Sequence, residues 1–249
     1  MRVVENVSYG EYLENKLDMY LPEKEGFETI VYFHGGGLES GDKTDSNYLE
    51  VSKCFVEQGY GFVSVNYRMY PQAKFPDYLE DAAKAIAWVK ENIQNYGGSD
   101  GLYVSGQSAG AWLSIMLCLN GEYLQNAGLS PLEIKGWIID SAQMTAHFNV
   151  LKNEMGINPV LQRINEFAPL YYVSETTKSN PILLLFYEKD IPCRPEQNML
   201  FVKTMQELCR GVDVEYKQLS GGHCHGSTER DEDGEFAYVK ESIRWLNRD

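Results

Sequence analysis

Three residue types, far apart along the chain, have the chemistry for nucleophilic acyl transfer. Ser108 sits at the tip of Gly106-Gln107-Ser108-Ala109-Gly110. A serine hydroxyl is a poor nucleophile at neutral pH, so it needs a base within hydrogen-bond reach and a third group to orient that base. The chain has four histidines, His34, His147, His223 and His225, and only the last two stand in a loop behind a late strand. His225 precedes Gly226, which leaves its imidazole open to a pocket, and it is the expected base; His223, behind two glycines, is the alternative. The acid is expected at Asp190, just past the apolar run ILLLFY, with Asp140 at another strand end as its competitor. The order serine, acid, histidine along the chain is that of one known triad scaffold.

Such a reaction also needs donors for an oxyanion. His34-Gly35-Gly36-Gly37 follows a buried run, and its glycines leave backbone amides uncovered. Gly36 and Gly37 are the expected donors on one side. The amide of Ala109, at a helix start, faces them from the other. His34 reads as an anchor for this loop. A phosphate cradle is disfavoured, because no G-x-G-x-x-G spacing and no P-loop lysine accompany the glycines. The His223-Cys224-His225 triplet lacks further ligands at zinc spacing, so neither a metal nor a cofactor is expected.

These residues must be positioned by the elements around them. Leu102 to Val104 is an apolar run, and Trp112, Leu113, Ile115, Met116 and Leu117 follow Ser108 as an apolar helical face. The turn between them is therefore strand, tight bend, helix, with glycines where side chains would collide. Upstream, Thr29 to Phe33 and Tyr60 to Val65 are continuous apolar and β-branched runs, as in interior parallel strands. Helical spacing covers Asn47 to Gln58, the stretch from Pro76 to about Tyr96, Gln197 to Leu208, and Phe236 to Leu246. Two short strands, Val3 to Tyr9 and Lys16 to Leu21, open the chain; Gly136 to Asp140, Pro181 to Tyr187 and Val212 to Leu219 supply the later ones. Strands alternating with helices predict an α/β fold with a mostly parallel central sheet covered on both faces. Residues 1–249 form one domain, and 141–177, too long for a plain connection, read as a small helical lid insertion over the sheet edge.

Composition narrows the partners. Hydrophobic residues make up 43% and charged residues 23%, as in a water-soluble globular chain. Lys plus Arg number 22 against 36 Asp plus Glu, a net charge of -14 that repels phosphate backbones and anionic bilayers. Neither nucleic acid nor membrane is expected as a partner. Polar residues interrupt the N-terminal stretch before any signal-peptide run develops, and five scattered cysteines lack C-x-x-C spacing. A cytoplasmic location with free thiols follows as the expectation, and the oligomeric state, a homodimer included, is left open.

The chain resembles the α/β-hydrolase esterase/lipase group related to hormone-sensitive lipase and to bacterial feruloyl and acetyl xylan esterases. The resemblance rests on LDMYLP (17–22), HGGG (34–37), SGDK (40–43), NYR (66–68), FP and LEDAAKAIAWV within 75–89, and GQSAGAWLS. It implies Ser108 as nucleophile, Asp190 as acid, and Gly36, Gly37 and Ala109 as oxyanion donors. Leu38 departs from the aromatic residue usual after the glycines, and the HCHG loop departs in its spacing from Gly221. The implied activity is a serine carboxylesterase acting on a small-molecule ester of short-chain, aryl or carbohydrate type. An aryl formamidase or peptidase of the same fold, or a non-catalytic ligand-binding relative, is the alternative. Tyr67, Trp112 and Phe148, with Tyr70, Tyr171 and Tyr172, are candidate aromatic lining for the substrate.

Overall fold

Residues Phe27–Phe33 show how the sheet divides its burial. Ile30 and Tyr32 join one apolar cluster, whereas Val31 and Phe33 join another on the opposite face. A strand buried on both sides reads as continuously apolar, yet its side chains still alternate. The computed structural model describes residues 1–248. It places this strand inside an eight-stranded sheet of order β1-β2-β4-β3-β5-β6-β7-β8. The strands are β1 Arg2–Ser8, β2 Lys16–Leu21, β3 Phe27–Phe33, β4 Gly61–Val65, β5 Gly98–Gln107, β6 Gly136–Asp140, β7 Ile182–Lys189 and β8 Val214–Gly222. β1 and β2 pair antiparallel and β2 joins β4 antiparallel; every later pairing is parallel.

The helices are α1 Ser46–Glu57, α2 Asp77–Asn92, α3 Ala109–Leu119, α4 Glu122–Asn126, α5 Phe148–Met155, α6 Arg194–Leu208, α7 His225–Thr228 and α8 Ala237–Leu246. Side chains of α2, α3 and α6 fill the larger cluster, including Leu79, Ile86, Trp112, Ile115, Phe201 and Met205. Those of α1 and α8, including Val51, Phe55, Tyr238 and Trp245, fill the other. Helices therefore cover both faces, as connections between parallel strands must. α3 is buried along almost its whole length, which its nearly uninterrupted apolar sequence permits only in an interior position.

Two ion pairs are buried where the glycine loop and the α2 start meet the sheet. Lys43 Nζ lies 2.7 Å from Asp18 Oδ2, and Arg68 forks onto both oxygens of Asp81 at 2.7 and 2.8 Å. Segment 141–177 holds α5, a 3-10 turn at Pro169–Tyr172 and irregular chain between them. It is tied to its neighbours by polar contacts: Asn149 Nδ2 donates to the Gly37 carbonyl at 2.6 Å, and Glu154 accepts from the Tyr70 hydroxyl at 2.6 Å. No helix among the described residues is long and apolar enough to cross a membrane.

Candidate active site

Parallel strands deliver their C-terminal ends to one edge, and four of those ends carry the candidate residues. β5 ends in Gln107, and Ser108 takes φ 54 and ψ -112 before α3 begins at Ala109. The close approach that forces this bend is measurable at its glycines. A Cβ on Gly106 would stand 2.3 Å from the Gly110 carbonyl carbon, and one on Gly110 would stand 2.0 Å from the Phe33 oxygen. The Ser108 amide is held by the Asp140 carbonyl at 2.8 Å, so the neighbouring strand end fixes the turn.

Ser108 Oγ lies 2.8 Å from His223 Nε2, and His223 Nδ1 lies 2.5 Å from Asp190 Oδ1. Burial pushes the Asp190 carboxyl upward, but the His223 contact, the Arg194 charge and the Ile191 amide outweigh it and hold the group below its ordinary value. An ionised carboxylate only accepts, so Nδ1 donates to Asp190, and in the neutral ring Nε2 then accepts from the Ser108 hydroxyl. Asp190 is further braced through Oδ2, which accepts from Ser141 Oγ at 2.9 Å.

The expectation that His225 stands in this line is corrected. Cys224 adopts left-handed φ 58 and ψ 19, and His225 then opens α7, so the chain turns away directly after His223. The His225 ring packs on Gly221, where a Cβ would come within 2.5 Å of it, and its Nδ1 is 3.5 Å from Glu229. Cys224 itself is buried and its thiol is pushed well above the ordinary range, chiefly by desolvation. Asp140, the competing acid, is fully buried, bonds to neither histidine, and accepts from Ser227 Oγ at 2.6 Å and the Tyr187 hydroxyl at 2.9 Å.

The glycine loop lies against the serine, because a Cβ on Gly35 would be 3.3 Å from Ser108 Cβ. Gly36 has φ 104 and Gly37 φ 65, and a Cβ on Gly36 would overlap the Ser40 carbonyl at 1.9 Å. Among the described residues the amides of Gly36 and Gly37 meet no protein acceptor. The Ala109 amide is one of the unpaired donors that begin any helix. His34 is buried, its ring stacked on Tyr67 with centroids 4.5 Å apart, and burial keeps its pKa below the ordinary value.

The aromatic lining expected from sequence is corrected for two of its three leading candidates, Tyr67, Trp112 and Phe148. Tyr67 is fully buried and its hydroxyl donates to the His34 carbonyl at 2.8 Å, which makes it a support of the glycine loop. Trp112 is fully buried between Tyr78 and His147. Phe148 alone reaches the site, with its ring beside Gly37, and it also lines a groove of about 360 Å³.

A polar chain that the sequence did not disclose links these parts. The Gly35 amide donates to the Tyr48 hydroxyl at 3.2 Å, which donates to Gln107 Oε1 at 2.8 Å. Gln107 Nε2 donates to Ser227 Oγ at 2.8 Å, and Ser227 donates to Asp140. Polar residues closing apolar strand runs, Gln107 on β5 and Asp140-Ser141 on β6, were the available signal for this network.

The BD-FAE family model matches residues 17–130, which contain the glycine loop, both buried ion pairs and the serine turn. The esterase LipQ of Mycobacterium tuberculosis is 35% identical over 236 residues, covering 84% of this chain and 54% of that protein. The chain has the α/β-hydrolase fold and is similar in sequence to esterases of that fold.

A probable isoprenylcysteine alpha-carbonyl methylesterase of Oryza sativa subsp. japonica matches at 34% identity over 152 residues, 60% of this chain and 34% of that one. The chain thus spans about a third to a half of the length of these curated relatives. Among solved structures, a truncated carbohydrate esterase from gut microbiota superimposes with a TM-score of 0.77 at 17% identity, covering 99% of this chain and 95% of that one. At that identity the superposition speaks for the fold.

Proposed function

We propose that this α/β-hydrolase is a serine carboxylesterase that cleaves a small-molecule ester through an acyl-enzyme. The observation that carries the reading is the unbroken line from Ser108 Oγ to His223 Nε2 at 2.8 Å and from His223 Nδ1 to Asp190 at 2.5 Å. In this mechanism Ser108 Oγ attacks the carbonyl carbon while its proton passes to His223 Nε2. Asp190 steadies the imidazolium that forms. The carbonyl oxygen, now an oxyanion, is met by the amides of Gly36, Gly37 and Ala109, and each such donor contributes about 3 kcal/mol to the transition state. His223 returns the proton to the departing alcohol; a water molecule, activated by the same imidazole, then releases the acid and restores Ser108.

Short-chain, aryl or carbohydrate esters suit the reading, since the groove beside Phe148 is small, about 360 Å³. The experiment is hydrolysis of 4-nitrophenyl acetate by the wild type and by Ser108→Ala, with labelling by a fluorophosphonate probe. Turnover and labelling that both vanish in Ser108→Ala support the mechanism. Turnover that survives the substitution sinks it, and a wild type that neither turns over nor labels points to a non-catalytic binder. A panel of matched esters and anilides separates an esterase from a formamidase or peptidase.

A further inference from the structure

Arg194, the first residue of α6, is only 3% exposed. One of its N–H groups donates to the Ser141 carbonyl at 2.5 Å. Among the described residues no carboxylate lies within 4.0 Å of the guanidinium, and the rest of its five donors have no protein acceptor. The other cations buried in this chain are matched, Lys43 by Asp18 and Arg68 by Asp81. Asp190 is the acid whose charge acts on Arg194, but its oxygens are engaged by His223, Ser141 and the Ile191 amide. The guanidinium nitrogens without a protein acceptor are not among the fully enclosed unpartnered atoms, so they remain open to the groove, where an arriving anion can reach them.

Arg194 lines the groove of about 360 Å³ together with Gln143, Phe148, Val160, Ile191 and Pro192. This groove touches the candidate site at two points. Phe148 stands against Gly37, and Ile191 directly follows Asp190. Every other residue of its wall is apolar or a neutral amide, so the one fixed anion acting on the guanidinium is Asp190, outside the wall and already bonded to His223, Ser141 and the Ile191 amide. The chain's net charge of -14 does not draw anions from a distance. A single cation in a neutral groove therefore selects among bound molecules more than it steers them.

We infer that Arg194 forms a carboxylate subsite, and that the preferred esters carry one carboxylate on the portion lying in the groove. The inference rests on the esterase reading and names its substrate class. A guanidinium and a carboxylate match as planar forks with two parallel hydrogen bonds. One unit charge answers one unit charge here, whereas a phosphate dianion would bring a second charge with no cation to meet it. A neutral ester lying over Arg194 covers the guanidinium donors without pairing them, and sites built for a polar group reject analogues lacking it.

The test is kcat/KM of the full chain on two matched pairs, each corrected for uncatalysed hydrolysis. 4-Nitrophenyl hemisuccinate against 4-nitrophenyl butyrate places the carboxylate on the acyl side; 4-acetoxybenzoate against phenyl acetate places it on the alcohol side. The wild type is expected to prefer the anionic member of one pair by about tenfold or more, and that pair identifies the portion held in the groove. Arg194→Met abolishes the preference, chiefly through KM, and Arg194→Lys keeps part of it as a point charge. No preference in the wild type, or a preference unchanged in both variants, overturns the subsite. Equal losses on the anionic and neutral members also overturn it, since Arg194 would then only support Asp190 through Ser141. If the wild type turns over none of the four esters, the esterase reading fails on its own. The subsite is then decided by calorimetric binding of 4-acetoxybenzoate to Ser108→Ala with and without Arg194→Lys: clearly weaker binding in the double variant supports it, and equal affinity overturns it.

Discussion

The side-chain amide of Gln107 donates to Ser227 Oγ at 2.8 Å, across 120 positions of sequence, and so joins the serine turn to the helix that follows His223. Gln107 also accepts from Tyr48, which holds the Gly35 amide, so one buried residue is bonded toward three parts of the site. Gln107→Leu keeps the volume and removes both bonds. Buried partners left unsatisfied cost about 1–3 kcal/mol each. The expected outcome on 4-nitrophenyl acetate is a kcat lowered by roughly 10- to 100-fold with a smaller change in KM, since misplacement of reacting groups by an ångström has effects of that size. A variant that loses stability but keeps kcat would assign the network to folding alone.

Two histidines separated by one cysteine have opposite expected phenotypes. His223→Ala removes the group between Ser108 and Asp190 and should lower kcat by about three orders of magnitude or more. His225→Ala removes a side chain that is 40% exposed and faces Glu229, so turnover should stay within about threefold of wild type. Steady-state kinetics on 4-nitrophenyl acetate distinguishes the two, and a reversed ranking would overturn the geometry.

Asp140 makes stability depend on pH in an unusual direction for a carboxylate. Burial raises its pKa to about 7, against the pull of its hydrogen bonds from Ser227 and Tyr187. A pKa higher in the folded than in the unfolded chain means that the folded state holds the proton more tightly. The stability it contributes is present in full below the unfolded value near 4 and is lost as pH rises through about 7. Asp140→Asn lacks this ionisation. The difference in thermal midpoint, variant minus wild type, should therefore rise between pH 5 and 8. A difference that is flat across that range would mean the group does not titrate there.

Glycines of the same type should respond oppositely to one methyl group. In Gly110→Ala the new Cβ would meet the Phe33 carbonyl oxygen at 2.0 Å and the His34 oxygen at 2.6 Å, both backbone atoms with nothing flexible to yield. Destabilisation by about 3 kcal/mol or more, or failure to fold, is expected. In Gly211→Ala nothing lies within 4 Å, and stability should stay level or rise by about 0.5 kcal/mol. Urea unfolding midpoints of the two variants give the comparison.

Strands β3, β4, β6 and β7 were legible from their apolar runs and β8 from alternation, and the serine turn because its glycines mark the close approach seen at Gly106 and Gly110. The histidine assignment was not legible. It depends on a single left-handed residue, Cys224, of a type that gives no warning of that conformation. Tyr67 and Trp112 were expected in a pocket and lie in the interior, since aromatic residues serve both places and the sequence does not say which. The charged residues of SGDK, NYR and LEDAA were visible as a pattern without a role. Their partners, Asp18 for Lys43 and Asp81 for Arg68, lie on other elements, so the pairs exist only once the chain has folded.

The backbone at Ser108, with φ 54 and ψ -112, occupies a region that a side-chain-bearing residue enters at a cost of about 1–3 kcal/mol. Glycine enters it freely, so Ser108→Gly should unfold at a higher temperature than the wild type while hydrolysing nothing. Heat tolerance and reactivity thus pull in opposite directions at this one position. A screen that rewarded thermal survival alone would drift toward erasing the hydroxyl, and any programme to harden this protein must hold residue 108 fixed while it searches elsewhere.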